Sequence, residues 1–444
     1  MKRAFKSDAA YLLSFFVIVI VVGTFLLMLP AAWAGRPGRP ASLSPVDALF
    51  TSTSAVCVTG LTTVDTADYS RFGQLVILGL IQVGGLGIVS FTSFMLILPG
   101  GRLPFRRLRT IRSFSIQGVE NDPFRILRSI VVSTFLVEVL GAVALAAQFA
   151  RLGQADPIYL GIFHAISAFC NAGFSVFPDS LERFKGEPVL LGTFAVLIAT
   201  GGIGFIVLQD IARRIRGKKR ILSYHSKLTL SITAILILAG AGAFWILEKD
   251  HAFAGMSGPV RAMNALFQSV TPRTAGFNAV HQAGLRQPSK FITILLMFIG
   301  GAPGSIAGGV KIATAYVVLL VMLKRANERG EINSIRRRLT PETINSAVIY
   351  FIKAAFLLIF AAGVLSVVEA PRGVDFGHIA FEVTSAFGTV GLSLDFTAGL
   401  STAGKLVIIG TMCTGRVGLP AFLFLGGSTR AGNFVYPEAE ILIG

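Results

Sequence analysis

The sequence predicts an all-α polytopic membrane protein made of four fused repeats, from its composition, its apolar runs and four recurring glycines. Hydrophobic residues make up 53% of the 444 residues and charged residues 14%, far from the usage of soluble domains. Apolar runs at 11–30, 126–150, 228–247 and 347–368 are long enough to cross the ~30 Å hydrocarbon core as helices, which takes about 20 residues.

Two glycine marks recur in register along the chain. The first mark occurs at intervals of 113, 103 and 115 residues, at Gly60, Gly173, Gly276 and Gly391. The second mark follows after 24, 28, 24 and 24 residues, at Gly84, Gly201, Gly300 and Gly415. Two linked marks repeated four times indicate one structural unit arranged around an axis. We place the units at 1–115, 116–225, 226–338 and 339–444, the last with a C-terminal tail.

Each unit has the pattern of a span, a short pore helix, a glycine loop and a second span, which gives eight full spans in a pseudo-four-fold arrangement around one pore. The short helices are predicted at 46–56, 157–169, 259–270 and 375–387, three of them at or beside a proline. The first is about 16 Å long at ~1.5 Å per residue, so it must enter the membrane and turn back. The run at 11–30 lacks a convincing cleavage site, so we interpret it as a retained span and not a signal peptide.

The net charge of +17 comes from clustered basic residues. The clusters lie at the N-terminus and within 102–112, 213–220 and 324–338. By the positive-inside rule all four face the cytoplasm, so each unit crosses the membrane an even number of times. Topology therefore accounts for the charge without a nucleic-acid partner. Whether the 213–227 and 324–338 loops also bind a cytosolic partner or anionic membrane lipids stays open.

The glycine loops are the candidate functional site. Non-helical backbone at membrane depth is tolerated where it is buried in protein or lines a water-filled path. Glycine lets carbonyls turn toward an axis without a Cβ in the lumen, and carbonyl rings can replace the water shell of a cation. The loops contain no acidic residue, which favours a monovalent over a divalent cation. The predicted filter residues are Val58, Thr59, Gly60, Asn171, Ala172, Gly173, Thr274, Ala275, Gly276, Thr389, Val390 and Gly391.

Helix packing of the GxxxG kind is the alternative role for these glycines. It predicts glycines inside apolar spans, whereas the four loop glycines lie among Thr, Ser, Asn and Ala directly after short helices. The packing role does suit the glycines within second spans, which we expect to allow close approach below the loops. These are Gly84, Gly85, Gly87, Gly201, Gly202 and Gly204.

The third and fourth units depart from the repeat. In the third, a run of small residues with one proline cannot hold a regular helix, so we predict that its second span, at about 290–323, is broken and that no other span is. In the fourth, Arg416 replaces a glycine, and an arginine at membrane depth is costly and by default functional, with a buried structural ion pair as the alternative. The predicted gate residues are Gly300, Gly301, Ala302, Pro303, Gly304, Ser305, Ile306, Ala307, Gly308, Gly309 and Arg416.

The four loops together resemble a known family. They read VCVTGLT, FCNAGF, TPRTAGF and FGTVGL, with HAISAF before the second loop and GRVG near the end. This combination resembles the KtrB branch of the TrkH/TrkG/KtrB/HKT superfamily of potassium transporters, over essentially the whole chain.

The resemblance implies a potassium uptake subunit of a prokaryotic inner membrane, with both termini in the cytoplasm. It implies K+ held by the backbone carbonyls of the filter, passive or sodium-assisted transport, and no cofactor in this chain. It also implies a homodimer with one pore per protomer and a cytosolic RCK-type nucleotide-binding ring (KtrA-like) as partner. A serine at the first glycine is associated with sodium transport in this family. Since all four positions are glycine here, potassium is favoured, and a Na+-selective or Na+/K+ cotransporting relative is the alternative.

Two other classes of protein fit the sequence less well. A membrane enzyme would need clustered titratable residues, whereas the five histidines are scattered and Cys57, Cys170 and Cys413 have neither metal-ligand nor disulfide-framework spacing. A secondary carrier shows broken helices in paired positions, whereas one broken span is predicted here.

Overall fold

The computed structural model describes residues 8–34, 42–97, 123–217, 221–324, 327, 331–334 and 337–417. Four of the predictions lie outside these residues: the cytoplasmic termini, the 102–112 basic cluster, the boundary between the first two units, and the C-terminal tail. Most of the described residues lie in helices.

The first unit contains helices α1 (Asp8–Met28), α2 (Pro45–Val56) and α3 (Arg71–Ile97). The short α2 begins at a capped proline turn, because Ser44 Oγ accepts a hydrogen bond from the Asp47 N–H at 3.1 Å and Pro45 occupies the first helical position. Its small and apolar side chains are buried against α1 and α3, where Ser52 Oγ donates to the Ile20 carbonyl at 2.8 Å. The first short helix therefore packs inside its own unit.

The second unit contains helices α4 (Pro123–Arg151), α5 (Pro157–Phe169), α6 (Pro188–Gly202) and α7 (Phe205–Ile215). Helices α6 and α7 meet at a bend of 104°. The prediction that only the third unit is broken is therefore wrong. The bend has a tertiary cause: Gly204 has a φ of +88°, and the Phe205 N–H bonds to the Gly304 carbonyl at 3.1 Å. Gly304 is distant in sequence, so the local sequence alone did not reveal the bend.

The third unit contains helices α8 (Tyr224–Glu248), α9 (Gly258–Val270), α10 (Gln287–Phe298) and α11 (Ile312–Leu323). Between α10 and α11 the chain is irregular from 299 to 311. The two helices are 12 residues each, so neither is long enough to span alone. The structure thus places non-helical backbone between two half-length helices.

A small hairpin lies at the end of the third unit and was not predicted. Strands β1 (Ile332–Ser334) and β2 (Arg337–Leu339) pair antiparallel. The Ser334 hydroxyl lies 2.7 Å from the Tyr224 hydroxyl and 2.8 Å from the Tyr316 hydroxyl, which fixes the hairpin to the start of α8 and to α11. The all-α prediction did not include this hairpin, because its strands are only three residues long and Arg337 and Arg338 of β2 belong to a basic cluster that indicated a loop.

The fourth unit contains helices α12 (Pro341–Glu369), α13 (Phe376–Gly388) and α14 (Thr402–Val417). Glu369 at the end of α12 is fully buried and accepts hydrogen bonds from the Ser401 N–H at 2.9 Å and hydroxyl at 2.5 Å. In the third unit, Glu248 at the end of α8 accepts from the Arg286 N–H at 2.9 Å. In both units a buried carboxylate ties the end of the first helix to the start of a later one.

The four short helices match their predicted bounds to within one residue at each end. Three described helices are long and apolar enough to cross a membrane, and the bent pair α6–α7 is a fourth if it counts as one span. Large apolar side chains point outward on these helices, as on α12, where Phe356, Ile359 and Phe360 are 60–73% exposed. Such surfaces are expected to contact lipid, and the protein is a membrane protein.

Candidate functional site

The four loop glycines lie next to one another in a closed ring. Each glycine faces the carbonyl oxygen of the residue that precedes the next glycine of the ring. A Cβ added to the glycine would lie well within the van der Waals distance of that oxygen. The distances from that Cβ are 2.4 Å for Gly60 to Ala172 O, 2.8 Å for Gly173 to Ala275 O, 2.2 Å for Gly276 to Val390 O and 2.3 Å for Gly391 to Thr59 O. Only glycine fits at these four positions, and the structure brings all four loops together.

Each loop holds two residues in the left-handed region, separated by one residue with a negative φ. The glycines have φ values of +93°, +70°, +76° and +96° along the chain. The residues two positions earlier are Val58 at +56°, Asn171 at +56°, Thr274 at +72° and Thr389 at +49°. A positive φ in a β-branched residue is a genuine outlier, and such strain persists only where the surroundings impose it. Alternation of handedness aligns successive peptide groups, so the loop backbone can present consecutive carbonyls to one side.

A buried hydroxyl fixes each loop, and the sequence analysis missed these residues. Ser54 and Ser385 each accept a hydrogen bond from the N–H of their loop glycine, at 3.0 and 3.1 Å. Ser167 and Thr271 instead donate to the carbonyl of the residue after the glycine, at 2.7 Å in both cases. A repeated Ser-Ala pair six residues before three of the glycines could have revealed this feature.

The second-mark glycines allow the later helices to pack on the ends of the short helices. A Cβ on Gly84, Gly201 or Gly415 would lie about 2 Å from a carbonyl oxygen at the C-terminal end of a short helix. These carbonyls belong to Val56, Phe169 and Phe387, respectively. For Gly84 and Gly201 the predicted close approach is confirmed, and Gly85 likewise lies against the Cys170 side chain. A Cβ on Gly87 or Gly202 would meet the described residues only at 3.4 Å or more, and Gly204 lies at the bend between α6 and α7. In the third unit this contact is replaced, since Gly300 faces the Gly308 carbonyl of its own irregular segment.

The predicted gate residues form that irregular segment, the 300–309 segment. It bonds to the bend between α6 and α7, with Ala302 N–H donating to the Gly202 carbonyl at 2.9 Å. A Cβ on Gly308 would lie 2.2 Å from Thr389 Oγ1, so the segment touches the fourth loop. Lys311 donates to the Ala307 carbonyl. The segment is buried except around Gly304, which is exposed.

Arg416 connects this segment to the first unit. The residue is 6% exposed, and its two terminal guanidinium nitrogens donate to the Ile306 carbonyl and, at 2.7 Å, to the Gly84 carbonyl. Its hydrogen-bond partners in the described residues are backbone carbonyls, and no carboxylate among them pairs with it. Its charge is therefore uncompensated by a carboxylate within the described ranges.

A titratable cluster joins the segments that follow three of the loops. His281 Nε2 lies 3.1 Å from Asp395 Oδ2, and His281 Nδ1 lies 3.7 Å from Glu182 Oε1. Burial raises the pKa of Glu182 above its usual value, and the nearby His281 offsets this in part. The described residues contain no group of three or more His, Cys, Asp and Glu that could hold a metal ion.

Fold and site together define the class of protein. Short helices that end at a ring of glycine turns, within helices whose apolar faces point outward, are the architecture of a membrane transport protein. The comparisons with known proteins then give the family.

The model of the TrkH family, described as cation transport proteins, matches residues 1–425. The chain belongs to this family, which is one of transporters and not of enzymes. It is 37% identical to the potassium/sodium uptake protein NtpJ of Enterococcus hirae over 97% of this chain and 95% of that protein. It is 36% identical to the Ktr system potassium uptake protein B of Bacillus subtilis over the same shares.

A solved structure gives the same fold. The potassium transporter TrkH of Vibrio parahaemolyticus superposes with a TM-score of 0.72, covering 96% of this chain and 86% of that one at 20% identity. At that identity the likeness concerns the fold alone.

Proposed function

We propose that the protein takes up potassium ions across the cytoplasmic membrane through the glycine ring, which acts as the selectivity filter. The observation that carries this proposal is the closed ring itself, in which each glycine abuts the carbonyl before the next. Backbone carbonyls at these positions would replace the water shell of a monovalent cation. The strained residues and the buried hydroxyls would hold the carbonyls in place as the ion passes.

Potassium is the proposed ion because all four ring positions are glycine. The Bacillus subtilis relative is named for potassium uptake, and the Enterococcus hirae relative for potassium and sodium. That second name supports the alternative, a Na+-selective or Na+/K+ cotransporting protein. The potassium-uptake proposal also includes sodium as a coupling ion.

The gate in this proposal is the 300–309 segment together with Arg416. The segment touches the fourth loop through Gly308 and would obstruct an ion that leaves the ring. Arg416 places a positive charge against the segment and would repel cations. Rearrangement of the segment would then open the path.

The full architecture completes the proposal. We infer four units in pseudo-four-fold arrangement with eight spans, the termini in the cytoplasm and the chain in the inner membrane. A homodimer with one pore per protomer and a cytosolic RCK-type ring as regulatory partner are inferred from the family resemblance. The cyclic order of the four loops supports the pseudo-symmetry.

Rubidium and potassium influx into proteoliposomes tests the proposal, with sodium as competitor. In Gly276→Ser the new Cβ would lie 2.2 Å from the Val390 carbonyl oxygen, so the carbonyls must shift and the preference for potassium over sodium should fall. The matched control is Gly363→Ser, because a Cβ at Gly363 meets no atom within 4 Å. Unchanged selectivity in Gly276→Ser would remove the filter assignment.

Should the purified chain show no influx, the same assay with the cytosolic ring added decides between an inactive pore and a missing partner. Equal passage of sodium and potassium by the unaltered chain would overturn the potassium assignment and favour the sodium-transporting alternative.

A further inference from the structure

An apolar groove lies on the outer surface of the third unit, between α8 and α9. Its volume is about 420 Å³. Helix α8 lines it with Ala241, Gly242 and Trp245, and α9 contributes Pro259 and Met263 among others. Gly242 and Pro259 are exposed, so the groove opens away from the protein interior. An apolar groove in a membrane-embedded surface is filled by an apolar group rather than by water.

One charged side chain borders the groove. The Arg261 guanidinium lies over the Trp245 ring, 5.6 Å from its centroid, and Nη2 donates to the Met256 carbonyl at 3.2 Å. Within the part of the chain that the structure describes, Arg261 pairs with no carboxylate. A tryptophan and an arginine side by side are typical of the membrane–water interface, where each keeps an apolar body in lipid and a polar end in water.

The start of α9 differs from the starts of the other short helices. Those helices carry a carboxylate at the cap or in the first turn: Asp47 in α2, Asp156 in α5 and Asp375 in α13. Helix α9 has no acidic residue in its first turn, and the Ser257 side chain makes no capping hydrogen bond. Since a helix N-terminus carries partial positive charge, Arg261 adds to a positive potential that no residue of α9's first turn offsets.

We propose that this groove binds an anionic glycerophospholipid, with an acyl chain against Trp245 and Met263 and the phosphate against Arg261. The apolar groove selects the chain, and the positive charge at its border selects an anionic headgroup over a zwitterionic one. Bound in this way, the lipid joins α8 to α9, which Ser269 Oγ already links by donating to the Ile237 carbonyl at 2.8 Å.

Trp245 provides a direct probe, because the chain has only two tryptophans. The other, Trp33, packs against Tyr69 with ring centroids 5.4 Å apart, in a different unit. In a Trp33→Phe background, Trp245 is the sole tryptophan. Its fluorescence is measured in vesicles that contain increasing amounts of phosphatidylglycerol or phosphatidylcholine, each brominated near the carbonyl end of its acyl chains. Bromine quenches tryptophan on contact, so the assay reports which lipid occupies the groove.

We expect phosphatidylglycerol to reach half-maximal quenching at a roughly five-fold lower mole fraction than phosphatidylcholine, the size expected for one cation near an anionic headgroup. Arg261→Gln should remove the preference while both lipids still quench. Arg261→Lys should restore it, which separates the charge from any effect on folding.

A second variant tests the groove itself. A Cβ on Gly242 meets no atom within 4 Å, so Gly242→Phe can fill the groove, and it should reduce quenching by both lipids. The matched control is Gly363→Phe, which is equally open and likewise lies six residues before the end of its helix.

Three results would overturn the proposal: equal quenching by both headgroups, a preference that survives Arg261→Gln, or Trp245 unquenched by either lipid. The last result would mean that protein covers the groove, such as a second copy of the chain. Because the assay measures occupancy and not transport, its outcome is independent of the proposed uptake function.

Discussion

The glycine ring and the 300–309 segment are both glycine-rich, non-helical stretches of backbone, yet they are held in different ways. Each ring loop is fixed by a buried hydroxyl and keeps a non-glycine residue in a left-handed conformation. The 300–309 segment is held mostly by backbone hydrogen bonds within 300–312, with two more to the bend between α6 and α7. The side chains of Lys311 and Arg416 also donate to it, and Gly304 is exposed. These contacts are the reason why we propose that the ring stays rigid and that the segment moves by exchanging a few hydrogen bonds.

The largest effect on transport is expected when a ring glycine is replaced by alanine, which adds a Cβ. In Gly391→Ala the new atom would lie 2.3 Å from the Thr59 carbonyl oxygen, at a φ of +96° that alanine rarely adopts. Strain of this kind costs about 1–3 kcal/mol, so rubidium influx should fall about tenfold or more. Gly399→Ala in the same unit is the control, because a Cβ there meets no atom within 4 Å. Normal influx in Gly391→Ala would show that the ring is not on the ion path.

The next effect concerns the segment. Arg416→Ala removes the charge and both hydrogen bonds to the Ile306 and Gly84 carbonyls. If Arg416 is a barrier that holds the segment in place, rubidium flux at equal expression should rise several-fold. Arg372→Ala is the control, since Arg372 is an exposed arginine of the same unit. Unchanged flux would make the role of Arg416 structural and would weaken the contrast between a fixed ring and a movable segment.

A smaller effect is expected from removing one of the buried hydroxyls that fix the ring loops. Ser385→Ala leaves the Gly391 N–H without its side-chain acceptor. A net hydrogen bond contributes about 1 kcal/mol, so the potassium-over-sodium preference should fall about fivefold while flux persists. Ser366→Ala serves as control, because the Ser366 hydroxyl has no hydrogen-bond partner among the residues that the structure describes. Equal selectivity in the two variants would mean that backbone packing alone keeps the ring rigid.

The smallest effect is expected for the ion pair between the first and fourth units, in which Lys405 Nζ donates a hydrogen bond to Asp47 Oδ1 at 2.6 Å. Burial raises the pKa of Asp47, but the hydrogen bonds from Lys405 and Ser44 outweigh it, so the pKa lies below 3.8. The pair therefore stabilises the fold above pH 3.8, and this contribution is lost as the pH falls through the lower pKa of the folded state. Asp47→Asn should lower stability by about 1 kcal/mol at neutral pH and by less in acid.

Thermal unfolding of Asp47→Asn and the unaltered protein, followed from neutral to acidic pH, checks this prediction. Asp375→Asn is the matched control, since Asp375 caps another short helix and, among the described residues, lies near His378 but has no lysine partner. A difference that does not shrink in acid would contradict the assigned ion pair.

Local signals in the sequence located the short helices and the loops. Prolines and capping residues such as Ser44 and Asp375 set the helix starts, and these signals act within one turn. The loop glycines were visible because the same steric demand occurs four times. Their function as a filter stays a prediction until flux and selectivity are measured.

The features that were missed depend on contacts between distant residues. The bend at Gly204 follows from the backbone of Pro303 and Gly304, which no pattern around Gly204 reveals. The β1–β2 hairpin depends on two tyrosines far from Ser334 in sequence. The hydroxyl of Ser54 was overlooked because a serine in a short helix has many ordinary roles, and only its position relative to Gly60 marks it.

The ring closes between the two ends of the chain, since Gly391 lies against Thr59 and Asp47 pairs with Lys405. During synthesis the first loop is made long before its last neighbour exists. A chain stopped after three units would contain three of the four loops but no enclosed site, and its open side would expose buried loop backbone. Completion of the last unit is therefore the step that closes the ring and covers its open side.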